Sequence, residues 1–435
     1  MAERGRVSLT RLMLLWTAAL ALCSLAIGEN VVLLPAALLV SVLVCLGLLV
    51  TGCEPDVPAS CGVFVVACVL VVAYIQFLNF AGGWVPLLLV AYAGLGLAAC
   101  LSRRLPRATL AAFLALHLVL VALLLTTLPM VSDVQALMDG AASALVRGVD
   151  PYAITVPGVY GPDHDWVYGP GVLRDGRIQY GYPYLPVPLL VVLPAYLLGD
   201  IRLALVAATV LTSWIIATLA TDRLGRVAAV MVLVMPVGWA VQINYWVEPV
   251  LLLAVALTSA ALVRRTSAAA LWFGCFLASK QYAIIHLPLL WMLARRSGKR
   301  GVLTALAVPL VLCSAFFLWD PSAFWHSAVE FHLRQPYRPD TVTLTPLLER
   351  LFGNSPDVLF GPYGLVLGSG VSALISWRCR PSPATFSAGI GLSLAVAVLF
   401  SKQGHANYWG LIGGALLIAV ATSAGDLGET RSTPT

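Results

Sequence analysis

Apolar residues in this chain run in long blocks, and polar residues gather in short clusters between them. The first block, "LMLLWTAALALC" at 12–23, sets a pattern that recurs almost to the C-terminus. Blocks apolar on every side approach the roughly 20 residues that a helix needs to cross a bilayer, and lipid leaves segments of this length few alternatives to helix. The pattern predicts an all-α fold: a polytopic membrane bundle of about thirteen transmembrane helices, with amphipathic surface helices in its outer loops.

Basic clusters orient these blocks, because Lys and Arg are retained on the cytoplasmic side. Arg4, Arg6 and Arg11 place the N-terminus inside, and four runs return the chain inside at "SRRLPR", 102–107. A fifth span, 109–130, opens a long outer loop reaching Tyr184. The next run, 184–199, is short and carries Pro186, Pro188 and Pro194, so it reads as interfacial or re-entrant. Spans at 201–220 and 227–240 follow, passing inside at "TDRLGR" and outside at "VQINYWVEP".

Between Arg265 and "RRSGKR" (295–300) too few residues remain for two upright spans, yet both flanks read as cytoplasmic. Two short helices must therefore meet at a tip, Ser279-Lys280-Gln281. A span at 302–318, an outer loop at 319–356, a return to "WRCR" and two final spans complete the chain. This reading divides it into N-terminal accessory helices (1–107), a main bundle (108–422) and a cytoplasmic tail (423–435).

Composition agrees: 60% hydrophobic, 11% charged and a mean hydropathy of +0.92, against roughly 25% charged in soluble domains. The net charge of +6 resides in orienting clusters, so nucleic acid is not an expected partner; the lipid bilayer is. Nine cysteines lie in or beside apolar runs, without the spacing of a disulfide framework or metal site.

Charge inside or at the edge of apolar runs marks candidate chemistry, because it is costly there. Asp133 directly follows a span and precedes an amphipathic stretch ended by Gly148; it is a candidate catalytic carboxylate or, more simply, a helix cap. Lys280 and Lys402, each within an "SKQ" triplet, are candidate anion ligands, snorkelling residues or, for Lys280, a partner of Glu248. Arg334 and Arg338 in "FHLRQPYRPD" offer forked contacts to phosphate. Gln242, Asn244, Glu248, Gln281 and His405, with Asn407 beside it, are candidate substrate contacts. Tyr152, Tyr160, Trp166, Tyr168, Tyr180, Tyr182 and Tyr184 read as an interfacial belt from which a few rings could stack on a sugar. Asp163, His164 and Asp165 in "GPDHDW" have metal-friendly spacing, though the segment also reads as a turn.

In order along the chain, the outward aspartate, the surface helix into "RGVDPY", "YPYLPVP", "QINYWVE", the Lys280 hairpin and a large later outer loop resemble the GT-C superfamily of membrane glycosyltransferases. The likeness is greatest to bacterial members that depend on polyprenyl-phosphate mannose, and it covers about 110–409 of this chain. It departs in placing four spans before the aspartate and in having "DVQ" where the family often has two aspartates. The resemblance implies transfer of mannose, or another hexose or pentose, from a polyprenyl-phosphate donor to a hydroxyl of a glycan or glycolipid. Transfer would take place outside the cell membrane, with inversion, in building the cell envelope.

Under that resemblance Asp133 is the base, Lys280 with Arg334, Arg338 and Lys402 meets the donor phosphate, and Gln242, Asn244 and Glu248 hold sugar hydroxyls. It requires no organic cofactor, and a divalent metal stays open because members of the family differ in this. The rival expectation is a transporter or flippase for an anionic lipid-linked substrate.

Overall fold

The computed structural model describes residues 6–22, 34–51, 56–58, 91–92, 94–96, 107–127, 132–160, 165–338, 340–353 and 363–429. Much of 52–106 lies outside them, and with it the third and fourth expected spans; so do Arg4, Asp163, His164 and the last six residues.

The described chain is mostly helical. Helices α1 (Leu9–Leu22) and α2 (Leu34–Thr51) precede α3 (Arg107–Thr127) and α4 (Asp133–Val146). Then come α5 (Pro186–Leu197), α6 (Arg202–Leu219), α7 (Arg223–Val234), α8 (Pro236–Ile243), α9 (Glu248–Val263) and α10 (Ala268–Leu277). A 3-10 segment (Gln281–Leu289) leads into α11 (Leu290–Trp319), followed by α12 (Pro321–Trp325) and α13 (Leu344–Phe352). Helices α14 (Tyr363–Arg378), α15 (Pro383–Leu399) and α16 (Ala406–Glu429) close the bundle.

The expected all-α class needs a small correction, because two short sheets are present. Arg6–Ser8 (β1) pairs antiparallel with Asp56–Pro58 (β2), and Val156–Pro157 (β3), Leu173–Arg174 (β4) and Arg177–Ile178 (β5) form a sheet in the order β3-β5-β4.

Among the described residues, three helical runs are long and apolar enough to cross a membrane, Arg202–Leu219, Gln281–Trp319 and Ala406–Ser423. The pair α7 and α8 makes a fourth if counted as one span bent by 41°. The bend falls at Pro236, which cannot donate to the preceding turn, so the run expected to stand upright at 227–240 is bent instead. Seven shorter apolar helices accompany these runs.

Burial separates inner helices from outer ones. Residues 383–399 of α15 include no exposed position and α9 is nearly as enclosed, as befits helices hydrophobic all round. By contrast α11 exposes Leu303, Leu310, Val311 and Leu318, and α14 exposes Val366 and Trp377, each more than 60%. Continuous apolar surface of this kind fits lipid rather than water.

Contacts define two ends of the bundle. At one, Arg11 of α1 makes a forked ion pair with Asp222, the N-cap of α7, and donates from Nε to Val420 O of α16 at 2.8 Å. Cys379 Sγ meets Leu49 O at 3.4 Å, and Arg296 reaches Leu262 O at 2.9 Å. At the other end, where α9 and α16 begin, Asn407 bonds Glu248. With a rise of about 1.5 Å per residue, each of these two helices separates the ends by more than 20 Å.

The expected hairpin is present, with α10 as one arm and the 3-10 segment as the other. Pro288 breaks regular α-helix in the second arm. Gly298, at φ +65° and ψ −169°, leaves helical geometry and divides α11 into two helical segments, of which the second contains the expected span at 302–318.

Candidate functional site

Three segments bring their polar residues to the end of the bundle where α9 and α16 begin. The first is the loop after α3. Ser132 is the N-cap of α4, but its side chain makes no capping bond; Asp133 occupies the first turn, and its Oδ1 accepts from Val134 N at 2.8 Å and from the Tyr160 hydroxyl at 3.2 Å. The loop folds over α4 as a cap with its own small core of Leu137, Val156, Val167, Tyr168, Val172, Ile178, Tyr180 and Phe331. Gly148, at φ +71°, ends α4, and Asp150 Oδ1 accepts from Tyr152 N at 2.9 Å, which sets the Tyr152 ring.

Tyr152 is buried and donates its hydroxyl to Tyr184 O at 2.9 Å. It supports the backbone of the next loop instead of presenting an open face beside Lys280. Tyr184 is the hinge of the site: its ring lies 4.4 Å from Lys280 Nζ, and its hydroxyl senses the charges of both Glu248 and Asp133.

The hairpin tip supplies Lys280, whose ammonium donates to Glu248 Oε1 at 2.6 Å; the two residues are only 4% and 2% exposed. Tyr408 and Tyr282 complete an aromatic cage, their ring centres 5.3 and 5.7 Å from Nζ. Such faces attract a cation electrostatically. Asn407 also donates to Glu248 Oε1, at 2.9 Å. Glu248 Oε2, Asn407 Oδ1 and the Tyr282 hydroxyl are buried without a hydrogen-bond partner. The other tip residue, Gln281, ties the hairpin to the loops, donating to Pro183 O at 2.9 Å and Ala328 O at 2.6 Å.

Two late loops form the third wall. Residues 335–343 are stitched to 401–409 by Arg338 N to Lys402 O (3.3 Å), Val342 N to Gly404 O (3.0 Å), Gln403 Nε2 to Pro336 O (2.6 Å) and Trp409 Nε1 to Val342 O (3.1 Å). This places Arg338, forked onto Asp340 at 2.6–2.8 Å, within electrostatic reach of both Asp133 and His405. Lys402 Nζ meets Leu333 O at 3.3 Å and acts on His332, as Lys280 does.

The electrostatics follow from burial and neighbours. Burial pushes the Asp133 carboxyl above the ordinary aspartate range, against the bonds from Val134 and Tyr160 and the charge of Arg338. Burial, together with nearby cations, holds His332 and His405 down to about 4, so both are neutral at pH 7. Asp133, Glu248 and Asp340 thus face Lys280, Arg338 and Lys402, a balanced set before any ligand arrives. A half-buried carboxylate with a raised pKa, cations and neutral imidazoles are components for proton removal beside a developing negative charge.

The remaining candidates lie elsewhere. Gln242 is fully buried, donates to Gly238 O at 2.7 Å and lies against His117. Asn244 closes α8 by donating to Ala240 O at 2.9 Å. Arg334 is about half exposed and pairs with Glu330 at 2.6 Å, one helical turn away. No three His, Cys, Asp or Glu side chains among the described residues gather as a metal set. Asp163 and His164 fall outside those residues, and Asp165 begins a four-residue helix.

Sequence reasoning did not single out Tyr282, Tyr408, Asp340 or His332. A weak signal existed for the two tyrosines, which stand two residues after Lys280 and one after Asn407. Comparison of the chain with protein-family models, curated proteins and solved structures returns no match.

Proposed function

We propose that this chain is an integral membrane glycosyltransferase of the GT-C type. It transfers mannose, or another hexose or pentose, from a polyprenyl-phosphate donor to a hydroxyl of a glycan or glycolipid, inverting the anomeric centre. The observation that carries this reading is that Tyr184 sets its ring 4.4 Å from Lys280 Nζ while its hydroxyl lies within electrostatic reach of Asp133. In the same reading the shorter apolar helices are further spans, completing about thirteen crossings, and the cluster faces the extracytoplasmic side of the cell membrane.

The acceptor oxygen attacks the anomeric carbon as the carbon–oxygen bond to phosphate breaks. Its proton passes to the Asp133 carboxylate, and the bonding pair leaves with the lipid phosphate. A base of raised pKa suits the proton transfer. Arg338 and Lys402 stabilise the leaving phosphate, and Lys280 joins them, because an ammonium has three donors and Glu248 takes one. The open acceptors of Glu248 and Asn407 receive sugar hydroxyls, while the prenyl chain stays in lipid against the apolar outer helices.

Asp133→Asn keeps the shape of the side chain and removes the base. With a labelled polyprenyl-phosphate sugar and membranes containing equal amounts of inserted protein, transfer should fall by about a thousandfold or more, within the range general acid–base catalysis supplies together with loss of the local charge. Transfer at the wild-type rate would remove Asp133 from the mechanism.

A further inference from the structure

A second concavity counts Tyr152 among its lining residues. It is a cleft of about 730 Å³ between the end of α11, helix α12 and the β3-β5-β4 cap, within the roughly 300–1,000 Å³ of small-molecule sites. Trp325 and Phe317 line it, 58% and 43% exposed, and so offer aromatic faces. Asp320, Glu330, Gln179 and Thr155 supply polar groups on the same walls. The floor is ordered: the His326 ring stacks on Tyr180 at 4.1 Å, donates from Nδ1 to Glu330 Oε2 at 2.8 Å and lies 3.2 Å from Gln179 O.

The charge of the cleft argues against a phosphate. Asp320 and Glu330 line it, and Asp150, buried with Oδ2 unpartnered, lies within electrostatic reach of Asp320. Against these three carboxylates stand two cations, Arg334, paired with Glu330, and Arg177, which donates to Thr155 Oγ1 and O on the wall, so acidic groups remain in excess. Exposed aromatic faces beside carboxylate, amide and hydroxyl groups match the apolar faces and hydroxyl rims of sugar rings, and the acidic walls repel anions.

We infer that this cleft binds a neutral oligosaccharide stretch of the acceptor. Calling the occupant the acceptor rests on the transferase reading above; binding of a neutral glycan does not. Tyr152 then joins the lining of the cleft to the Tyr184 backbone, which its hydroxyl holds.

Calorimetric titration of the full chain in nanodiscs, without donor, tests this with mannotetraose and cellotetraose as neutral probes and their sulfated forms as anionic ones. At least one neutral probe should bind and the sulfated forms should not. Trp325→Ala should weaken binding about tenfold, whereas Trp325→Phe should retain most of it. Asp320→Asn, which still caps α12, should weaken it roughly fivefold. Absence of neutral binding, equal binding of sulfated probes, or wild-type binding by both Trp325→Ala and Asp320→Asn would overturn the inference. The transferase reading falls separately, on failure of sugar transfer while the neutral probes still bind.

Discussion

Glu248 stands in the first turn of α9, where the helix dipole favours a negative charge, and yet its carboxylate is enclosed. Lys280 and Asn407 make that tolerable, and removing the cation alone would leave a buried charge unpaired. Lys280→Met should therefore cost about 3–5 kcal/mol, whereas the double change Lys280→Met with Glu248→Met should recover most of it. Thermal unfolding in detergent measures both. A structural ion pair would recover activity along with stability; the proposed mechanism requires stability to return while transfer stays lost.

Titration gives a second test at this scale. Transfer requires Asp133 ionised, so the acid limb of kcat/KM should lie above the ordinary aspartate value, since burial raises its pKa. Arg338 opposes that rise, so Arg338→Gln should move the limb to still higher pH; a limb unmoved by this change would separate Arg338 from Asp133. His332 and His405 act on stability in the opposite direction. Each is held to about 4, below its usual 6.5, so the stability associated with their neutral forms is present above pH 6.5 and is lost as pH falls toward 4.

Among the elements, the hairpin was the most legible. Its flanking arginines and short length call for two half-spans and put Lys280 at the turn. The sequence offers Glu248 both as a partner of Lys280 and as a sugar contact, and the packing of α9 against α10 realises the pairing. The tyrosine cage was hidden, because a ring at a membrane boundary has the same sequence pattern whether it meets headgroups or a cation. Arg334 and Arg338 looked equivalent in one loop, but the stitching to 401–409, a long-range feature, carries Arg338 inward while Arg334 pairs along its own helix.

Gly181 tests the scaffold at this scale. A Cβ there would stand 2.5 Å from Tyr152 O and 2.7 Å from Pro151 O, both backbone atoms that cannot simply rotate aside. Gly181→Ala should displace the loop joined by Ser327, which accepts from Gly181 N and donates to Tyr152 O. The expected result is a loss of about 1–3 kcal/mol of stability and impaired transfer, measured on the purified protein. Unchanged transfer would mean that the Tyr152–Tyr184 support does not position the site.

At the scale of the molecule, composition and block pattern disclosed a helical bundle with apolar outer surfaces, but not which short helices cross the bilayer. Helices such as α10 and α5 have the hydrophobicity of spans without the length. The two groups of end contacts do separate the orienting clusters near Arg11, Asp222 and Arg296 from the polar cluster around Lys280. In intact cells, a cysteine placed at the exposed Leu333 should react with an impermeant maleimide above the background of native cysteines, whereas one at exposed Lys299 should not. Labelling of both from outside would contradict the assigned orientation.

The account as a whole depends on Asp133 and the caged lysine serving one lipid-linked sugar at one membrane face. The most direct measurement supplies a panel of labelled polyprenyl-phosphate sugars and glycan acceptors to purified protein in sealed vesicles, and follows both glycosidic product and transbilayer movement of label. The account predicts at least one donor whose sugar becomes glycosidically bound at the face bearing the cluster, lost in Asp133→Asn. Movement of label across the bilayer with no glycosidic product from any donor would contradict it and favour a carrier.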